Sequence, residues 1–342
     1  MTATGTPADG PRGSAYSILS RQIKQAGLLD RRPGWYTAQT ALLLALLAAG
    51  VTALVVIGDS WWQLLVAAWF AVVSTQLGFL GHDAGHRQIF RSARSNHGVG
   101  IMLANLGVGF SYGWWVDKHN RHHAHPNDED RDPDIGAGAL VFTTRQAEAS
   151  GRLAGFFHRY QAWMFFPMLL LEAVSLRVSS VRYLIGARDR SRFRELVLIT
   201  LHLVAYLAAV FVLLPPGKAV AFVVLHQALF GLYLGCSFAP NHKGMPPLSP
   251  ADNADYLRRQ VLTSRNVRGL WLTDFALGGL NYQIEHHLFP SMPRGNLRRA
   301  QLLVKQFCAD QQVSYLETGL VSSYAQALRH LDTVGRTAAH AR

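Results

Sequence analysis

The sequence is poor in cysteine, with only Cys236 and Cys308 among 342 residues. Two isolated thiols form neither a disulfide framework nor a cysteine-ligand metal pattern, which excludes a disulfide-stapled scaffold and a thiol-based site. Acidic residues are also scarce, since 21 Asp+Glu stand against 33 Lys+Arg for a net charge of +12. Such a balance suits nucleic acid, an anionic membrane surface or a phosphate-bearing substrate.

Charge is absent from four long apolar segments: residues 35–57, 61–80, 196–214 and 219–239. Each is close to the roughly 20 residues that a helix needs to cross a bilayer. We therefore predict an all-α integral membrane protein with four transmembrane helices. The connections at 58–60 and 215–218 are short, so the helices form two hairpins.

The basic residues indicate how these hairpins are oriented. Among 33 Lys+Arg, only Lys218 falls in one of the two hairpin turns. The positive-inside rule then places the opposite ends, and both chain termini, on the cytoplasmic side. Because the charges flank membrane spans, membrane lipid is the expected partner and nucleic acid is not.

The segments outside the spans receive coarser predictions. Residues 1–34 are predicted to be a cytosolic, partly disordered N-terminal segment with no signal peptide. The membrane domain covers 35–312, and 313–342 is predicted to be a C-terminal tail. We expect a re-entrant or surface helix at 98–116, a segment lying on the membrane at 156–174, and helices of a cytosolic cap at 250–268 and 297–312.

Histidines next to these spans carry the chemistry. His119, His122 and His123 stand at offsets 0, 3 and 4, which share one face of a helix. Gln283, His286 and His287 repeat this spacing, His82 and His86 stand at i and i+4, and His242 follows the fourth span. Eight imidazoles offer four ligands to each of two metal ions. Imidazole suits iron, zinc, copper and nickel, and spacing alone does not choose among them. Structural zinc sites generally include cysteine, which favours a histidine-only diiron centre that binds O2.

These residues resemble the three histidine boxes of the membrane fatty acyl desaturase family. The strings Trp114–Asn127 and Gln283–Pro290 strengthen the likeness, and the glutamine that opens the third box is typical of the front-end branch. The resemblance implies O2-dependent insertion of a cis double bond into an acyl-CoA or acyl-lipid chain, and two irons between four membrane helices and a cytosolic helical cap. It implies as iron ligands His82, His86, His119, His122, His123, His242, His286 and His287.

Two departures from the family pattern matter. Gln283 replaces a histidine, so we place it near the metals without counting it as a firm ligand, and Asn241 is assigned to hold a water there. Second, the His-Pro-Gly-Gly haem motif of fused cytochrome b5 domains is absent. We therefore expect electrons from a separate ferredoxin, flavoprotein or cytochrome b5-type donor, which the basic face would attract.

Other polar residues near the boxes receive smaller roles. Asp83 and Glu285 are predicted to accept hydrogen bonds from metal-bound histidines. His125 is interpreted as a loop residue or a support for a ligand rather than a ligand itself, and the acidic loop 128–134 as solvated. His97 and His158 are interpreted as surface groups, and His202 and His226 as residues that form hydrogen bonds between helices. The choice between a phosphate-binding role and topology-setting charge stays open for Lys118, Arg121, Arg294, Arg298 and Arg299.

Two other functions remain possible at this level. A fatty acid or lipid hydroxylase on the same scaffold shares the first hydrogen abstraction and differs in whether a second hydrogen is removed or oxygen rebounds onto the carbon. A membrane metal transport or storage protein would hold its ligands within the spans, whereas these clusters stand at one rim.

Overall fold

The structure is a computed structural model that describes residues 14–186, 191–247 and 255–340. The disorder expected before residue 14, and the first residues of the expected 250–268 helix, lie outside this description. In chain order the helices are α1 Ala15–Gln25, α2 Pro33–Ile57, α3 Gln63–Gly85, α4 Ala93–Ile101, α5 Tyr112–Ala124, α6 Thr144–Glu148, α7 Arg152–Arg159, α8 Gln161–Leu169, α9 Glu172–Gly186, α10 Ser191–Leu213, α11 Pro216–His242, α12 Tyr256–Leu262, α13 Trp271–Ala276, α14 Gln283–Leu288, α15 Leu297–Asp310 and α16 Leu320–His340.

Four of these helices, α2, α3, α10 and α11, are long and apolar enough to cross a membrane. They correspond to the four predicted segments, but α3 and α11 run further, through His82 and His242. Helical hydrogen bonding thus continues past the last apolar residue, so both histidines are held on the last turn of a long helix. Two further pairs of helices are bent at a short break. One pair is α4, with its π-helical extension, and α5; the other is α8 and α9. If each pair counted as one span, the number of spans would be six.

The span helices expose much of their apolar surface. Only 17% of the most apolar window of α2 and 11% of that of α10 are buried within the protein. Val56 and Val212 are about four-fifths exposed. Helices that are apolar all round but little buried against protein need a lipid environment, because water would leave this surface unfavourably hydrated.

Polar contacts within the spans join the helices. His226 on α11 bonds the Tyr206 hydroxyl of α10 at 2.8 Å and approaches the Ser74 hydroxyl of α3 at 3.4 Å. The Nδ1–H of His202 donates to the Leu106 carbonyl at 2.8 Å. The prediction that these two histidines bond between helices is therefore confirmed.

The region after α11 differs from the expected cap and tail. Three-residue strands β1, Asn266–Arg268, and β2, Glu317–Gly319, pair in parallel, so the described part of the chain is mostly but not entirely helical. The segment predicted as a tail contains α16, whose Ala327 and Leu331 are fully buried. The amphipathic spacing of α16 packs it against α7 and α8, so this segment contains a packed helix.

Arg265 ties this region to the end of α11. Its guanidinium is fully buried and donates to the carbonyls of Pro240, at 2.6 Å, and of Lys243. It also donates to the Gln326 side chain on α16 at 3.0 Å. A cation on the last carbonyls of a helix complements the helix dipole, so Arg265 fixes the turn that carries His242.

Candidate metal centre

Four elements that are distant in sequence bring the eight histidines into one cluster. His82 lies on the last turn of α3 and His86 caps its C-terminus, while α5 carries the second box. His242 ends α11, and α14 carries His286 and His287. All are buried except His119, which is partly exposed.

The first set, group A, consists of His82, His86, His119 and His286. One ring nitrogen from each lies within 4.8 Å of those of the other three. The His82 ring centroid is 4.7 Å from that of His86 and from that of His286, and 5.0 Å from that of His119. Three separate elements therefore supply one four-nitrogen cage.

The second set, group B, consists of His122, His242 and His287, whose nitrogens meet the same 4.8 Å limit. The Nε2 atoms of His122 and His242 are 3.3 Å apart. His123 lies between the groups: its Nε2 is 3.1 Å from that of His119, and its ring stacks on His287 at 4.2 Å. The groups are thus adjacent, and their role as metal ligands stays a prediction.

The donor set fits transition-metal ions. Among the described residues, buried nitrogens without a hydrogen-bond partner include Nε2 of His82, His86, His286 and His287 and Nδ1 of His123. Unpaired buried polar atoms are costly and rare in folded proteins unless they serve a purpose. Burial lowers the pKa of His286 and of His287 well below the usual value, with neighbouring imidazoles adding to the effect. Both rings are therefore neutral at pH 7 and can offer a lone pair to a metal.

Each imidazole of group B has a hydrogen-bond acceptor close behind it. The Nδ1 of His122 lies 2.9 Å from Asp132 Oδ2, that of His287 lies 2.9 Å from Gln260 Oε1, and that of His242 lies 3.0 Å from the Thr263 carbonyl. These contacts favour the tautomer with the proton on Nδ1, which directs the lone pair of each Nε2 toward the centre.

The sequence analysis did not predict the three acceptors behind group B, which are Asp132, Gln260 and Thr263. The loop 128–134 was read as solvated, but Asp132 is only 2% exposed, so that interpretation is wrong at this residue. The loop folds back because the backbone N–H groups of Asn127 and Asp134 both donate to Asp132 at 2.8 Å. A search for carboxylates close to the second box could have found Asp132. Nothing in the local pattern marks Gln260 or Thr263.

The two predicted carboxylate partners behave differently. Asp83 approaches His82 Nδ1 at 3.5 Å and pairs with Arg294 Nη2 at 2.6 Å. Glu285 instead accepts from Asn266 at 2.7 Å and from Tyr315 at 2.8 Å. Its predicted contact with a histidine is not seen among the described residues. Burial raises the pKa of Glu285 to about 7, although the two hydrogen bonds oppose the shift. Glu285 therefore anchors α14.

The two amides assigned near the metals lie beside His242. Gln283 Nε2 is 2.8 Å from His242 Nε2, and Gln283 Oε1 accepts from Asn241 Nδ2 at 3.4 Å. Asn241 Oδ1 is buried and has no hydrogen-bond partner in the described part of the chain. A water bound there stays a prediction.

Several other polar residues now have a defined place. His158 is buried and contacts Ser150 Oγ at 2.9 Å and the Gly138 carbonyl at 3.1 Å, so its surface assignment is wrong, whereas His97 is exposed. Lys118 pairs with Asp134, which leaves little free charge for a phosphate. Arg121, Arg298 and Arg299 are exposed.

An apolar cavity of about 350 Å³ borders both groups of histidines, within the size range of small-ligand sites. Its polar wall contains Lys118, Asp134, Glu172 and Lys243. Such a cavity can hold a hydrocarbon chain beside the imidazoles and exclude water from it. Apolar walls come from Phe79, Phe110, Trp114, Leu169, Leu176 and Phe238.

Comparison with known proteins decides the family. A model of the fatty acid desaturase family matches residues 59–319. The chain belongs to the fatty acid desaturase family. The family identified from the histidine boxes is thereby confirmed, and residues 59–319 include every histidine of groups A and B.

Curated relatives in this family share about three residues in ten with the chain. The chain is 31% identical to the acyl-lipid (9-3)-desaturase of Physcomitrium patens over 80% of its own length and 53% of that protein. It is 27% identical to the Delta(8)-fatty-acid desaturase of Helianthus annuus, covering 93% of this chain and 72% of that one. Identity to the Delta(6)-fatty-acid desaturase fat-3 of Caenorhabditis elegans is 29%, over 93% and 74%. The chain thus spans about half of the first relative and about three quarters of the others.

Proposed function

We propose that this desaturase-family chain is itself a fatty acyl desaturase, which uses O2 and two added electrons to insert a cis double bond into an acyl chain. The observation that carries this proposal is the apolar cavity that borders two adjacent groups of buried histidines. Reducing O2 to two waters takes four electrons. Two come from the substrate C–H bonds that are broken and two from a donor protein.

The histidines divide naturally between two metal ions. Group A would hold one iron and group B the other, and His123 lies close enough to serve either. Two irons bound there supply O2 activation and hydrogen abstraction. The Nδ1–H groups of His122, His242 and His287 would donate to Asp132, to the Thr263 carbonyl and to Gln260, which directs each Nε2 lone pair inward.

The cavity walls would orient the substrate. Apolar side chains bind the hydrocarbon and exclude water, so the reacting carbons are presented to the centre in a fixed position. The relatives named as acyl-lipid desaturases support an acyl-lipid substrate, and acyl-CoA is the alternative carrier. A separate ferredoxin, flavoprotein or cytochrome b5-type donor would approach the exposed arginines.

The membrane arrangement that we propose has two hairpins with the histidines at the cytoplasmic end. An ion pair joins Lys218, on the first turn of α11, to Asp59 in the α2–α3 turn. It supports this arrangement, because both turns must then lie on one side. The other helix ends carry nearly all of the positive charge, which supports a cytoplasmic location. Labelling of a Lys218→Cys variant by an impermeant thiol reagent from outside intact cells tests the orientation; labelling only after lysis would contradict it.

Expression in a host that lacks the product tests the activity. Gas chromatography of total fatty acids should show a new O2-dependent alkene with the wild-type chain and none with His122→Ala, inserted in the membrane to the same level. Hydroxy acids without a new alkene would establish a hydroxylase. Labile zinc in the purified protein, with no O2-dependent product, would establish a metal-handling protein.

A further inference from the structure

A buried carboxylate outside the metal centre lies in one of the four span helices. Among α2, α3, α10 and α11, acidic residues occur only at Asp83, next to a histidine, and at Glu195 on α10. Glu195 is 3% exposed. Glu195 lies on the first turns of α10, one residue before the apolar run 196–214. A buried carboxylate is costly unless it is hydrogen-bonded, and the histidine cluster does not explain this one.

The partners of Glu195 belong to the segment that leads into α5. Its Oε2 accepts from Ser111 Oγ at 2.8 Å, from Asn105 Nδ2 at 2.9 Å and from the Gly113 backbone N–H at 3.2 Å. Ser111 is also the N-cap of α5, since its Oγ accepts from the Trp114 N–H at 3.1 Å. One carboxylate therefore binds the cap and the first turn of the helix that carries the second histidine box.

This carboxylate supplies a charge that α5 does not have. The first turn of α5 contains no acidic residue, although its end carries Arg121, His122 and His123. The N-terminus of a helix is stabilised by negative charge. Glu195 provides it from another helix, in contacts that a charged acceptor strengthens.

Close packing leaves α5 little room to shift. A Cβ on Gly113 would lie 2.7 Å from Glu195 Oε1, so the backbone of α5 rests directly on the carboxylate. Two residues further along α5 is Trp115, and a Cβ on Gly85 of α3 would collide with its ring. That ring in turn stacks on His119 at 4.5 Å. The carboxylate and the tryptophan thus define both the axial position and the rotation of α5.

The position of α5 affects both groups of histidines. His119 belongs to group A and His122 to group B, and they follow Gly113 by about 9 and 14 Å at the helical rise per residue. A helix of this length moves as a unit, so a shift at its N-terminus reaches both groups.

We propose that Glu195 is a positioning residue for the metal centre: its carboxylate holds the N-terminus of α5 so that the second histidine box meets the other two. It rests on the proposed function only in taking the histidines as metal ligands. Glu195 itself touches neither the histidines nor the cavity.

The test compares Glu195→Ala, Glu195→Gln and Glu195→Asp with wild type and with Thr200→Val, an exposed polar position on the same helix. Each protein, purified in detergent and checked by size exclusion and thermal unfolding, is loaded with Fe(II) or Co(II). Metal per chain, the rate of loss to a chelator and the Co(II) absorption spectrum are measured. Partners that orient metal ligands are worth about 10–100-fold in affinity, so we expect Glu195→Ala to lose metal faster by that factor.

The remaining variants separate positioning from general stability. Glu195→Gln should lose metal at an intermediate rate with an altered Co(II) spectrum, Glu195→Asp should recover part of the wild-type behaviour, and Thr200→Val should match wild type. If Glu195→Gln and Glu195→Asp unfold earlier yet keep the wild-type spectrum and rate, the role is structural only and the proposal is overturned, whether or not Glu195→Ala folds. A wild-type protein that binds no metal would instead overturn the proposed function.

Discussion

Group A and group B are held in place by different means. In group B, each of the three imidazoles has an Nδ1 contact of 2.9 to 3.0 Å with an acceptor from a different part of the chain. In group A, the Nδ1 contact recorded among the described residues is the 3.5 Å approach of His82 to Asp83, whose second oxygen pairs with Arg294. The ring orientation in group A therefore depends on the packing of α3, α5 and α14.

This difference affects how tightly each group of histidines can bind a metal ion. Partners behind a ligand fix its tautomer and raise its basicity, so group B is the better prepared of the two. Group A has four imidazoles against three, but it has less of this support in the described part of the chain. We infer that the two groups differ in how firmly they retain a metal ion, which can be measured.

The largest effect should come from removing a ligand from either group. His286→Ala and His287→Ala should each lower product formation by more than about 100-fold. This loss is larger than the loss expected from replacing a residue that only orients a ligand. Iron per chain should fall from two to one in each case. Product by gas chromatography and iron by mass spectrometry decide this; two irons in either variant would remove that residue from the centre.

Removing the acceptor behind a ligand should have the next largest effect. Asp132→Asn keeps the shape of the side chain but weakens the contact to His122 Nδ1, and metal affinity at group B should fall by about 10–100-fold. Asp130→Asn, in the same loop but exposed and bonded to Arg145, is the matched control. Equal iron titrations for the two variants would show that Asp132 does not support the site.

Chelation of the wild-type enzyme should proceed in two phases. Because group A has the weaker support, its ion should leave first. Its rate of loss should exceed that of group B by about tenfold, given the range of effects of such contacts on metal affinity. Spectra of the half-depleted protein, compared with those of His286→Ala and His287→Ala, identify which ion has gone. Loss of both ions in a single phase would mean that the two groups do not differ as inferred.

The smallest effect is expected far from the centre. His226→Phe removes the bonds to Tyr206 and Ser74 between span helices. Such bonds average about 0.6 kcal/mol each in membrane proteins, so the free energy of unfolding in detergent should fall by roughly 1 kcal/mol. Iron content should stay at the wild-type value. A loss of iron would show that packing of the spans reaches the centre.

The features recovered from sequence are those with a short-range pattern. Uncharged runs near 20 residues predicted the four span helices, and i, i+3, i+4 spacing predicted which imidazoles share a helix face. Asp132 was misread because an acidic loop is usually solvated, and only its fold back onto His122 distinguishes it. His158 was misread because lone histidines in basic segments are usually at the surface.

Sequence alone predicted the candidate donor atoms, and it determined which of them share a helix face and which helices are long and apolar enough to cross a membrane. Helical periodicity and apolar length are local properties of the chain. Tertiary structure decided which histidines meet in group A and in group B, and which residues accept hydrogen bonds from them. Thr263, Gln260 and Glu195 acquire their contacts from residues 21 to 90 positions away, to His242, His287 and Asn105. A hydrogen bond depends on distance and angle in the folded state, and no local pattern records either.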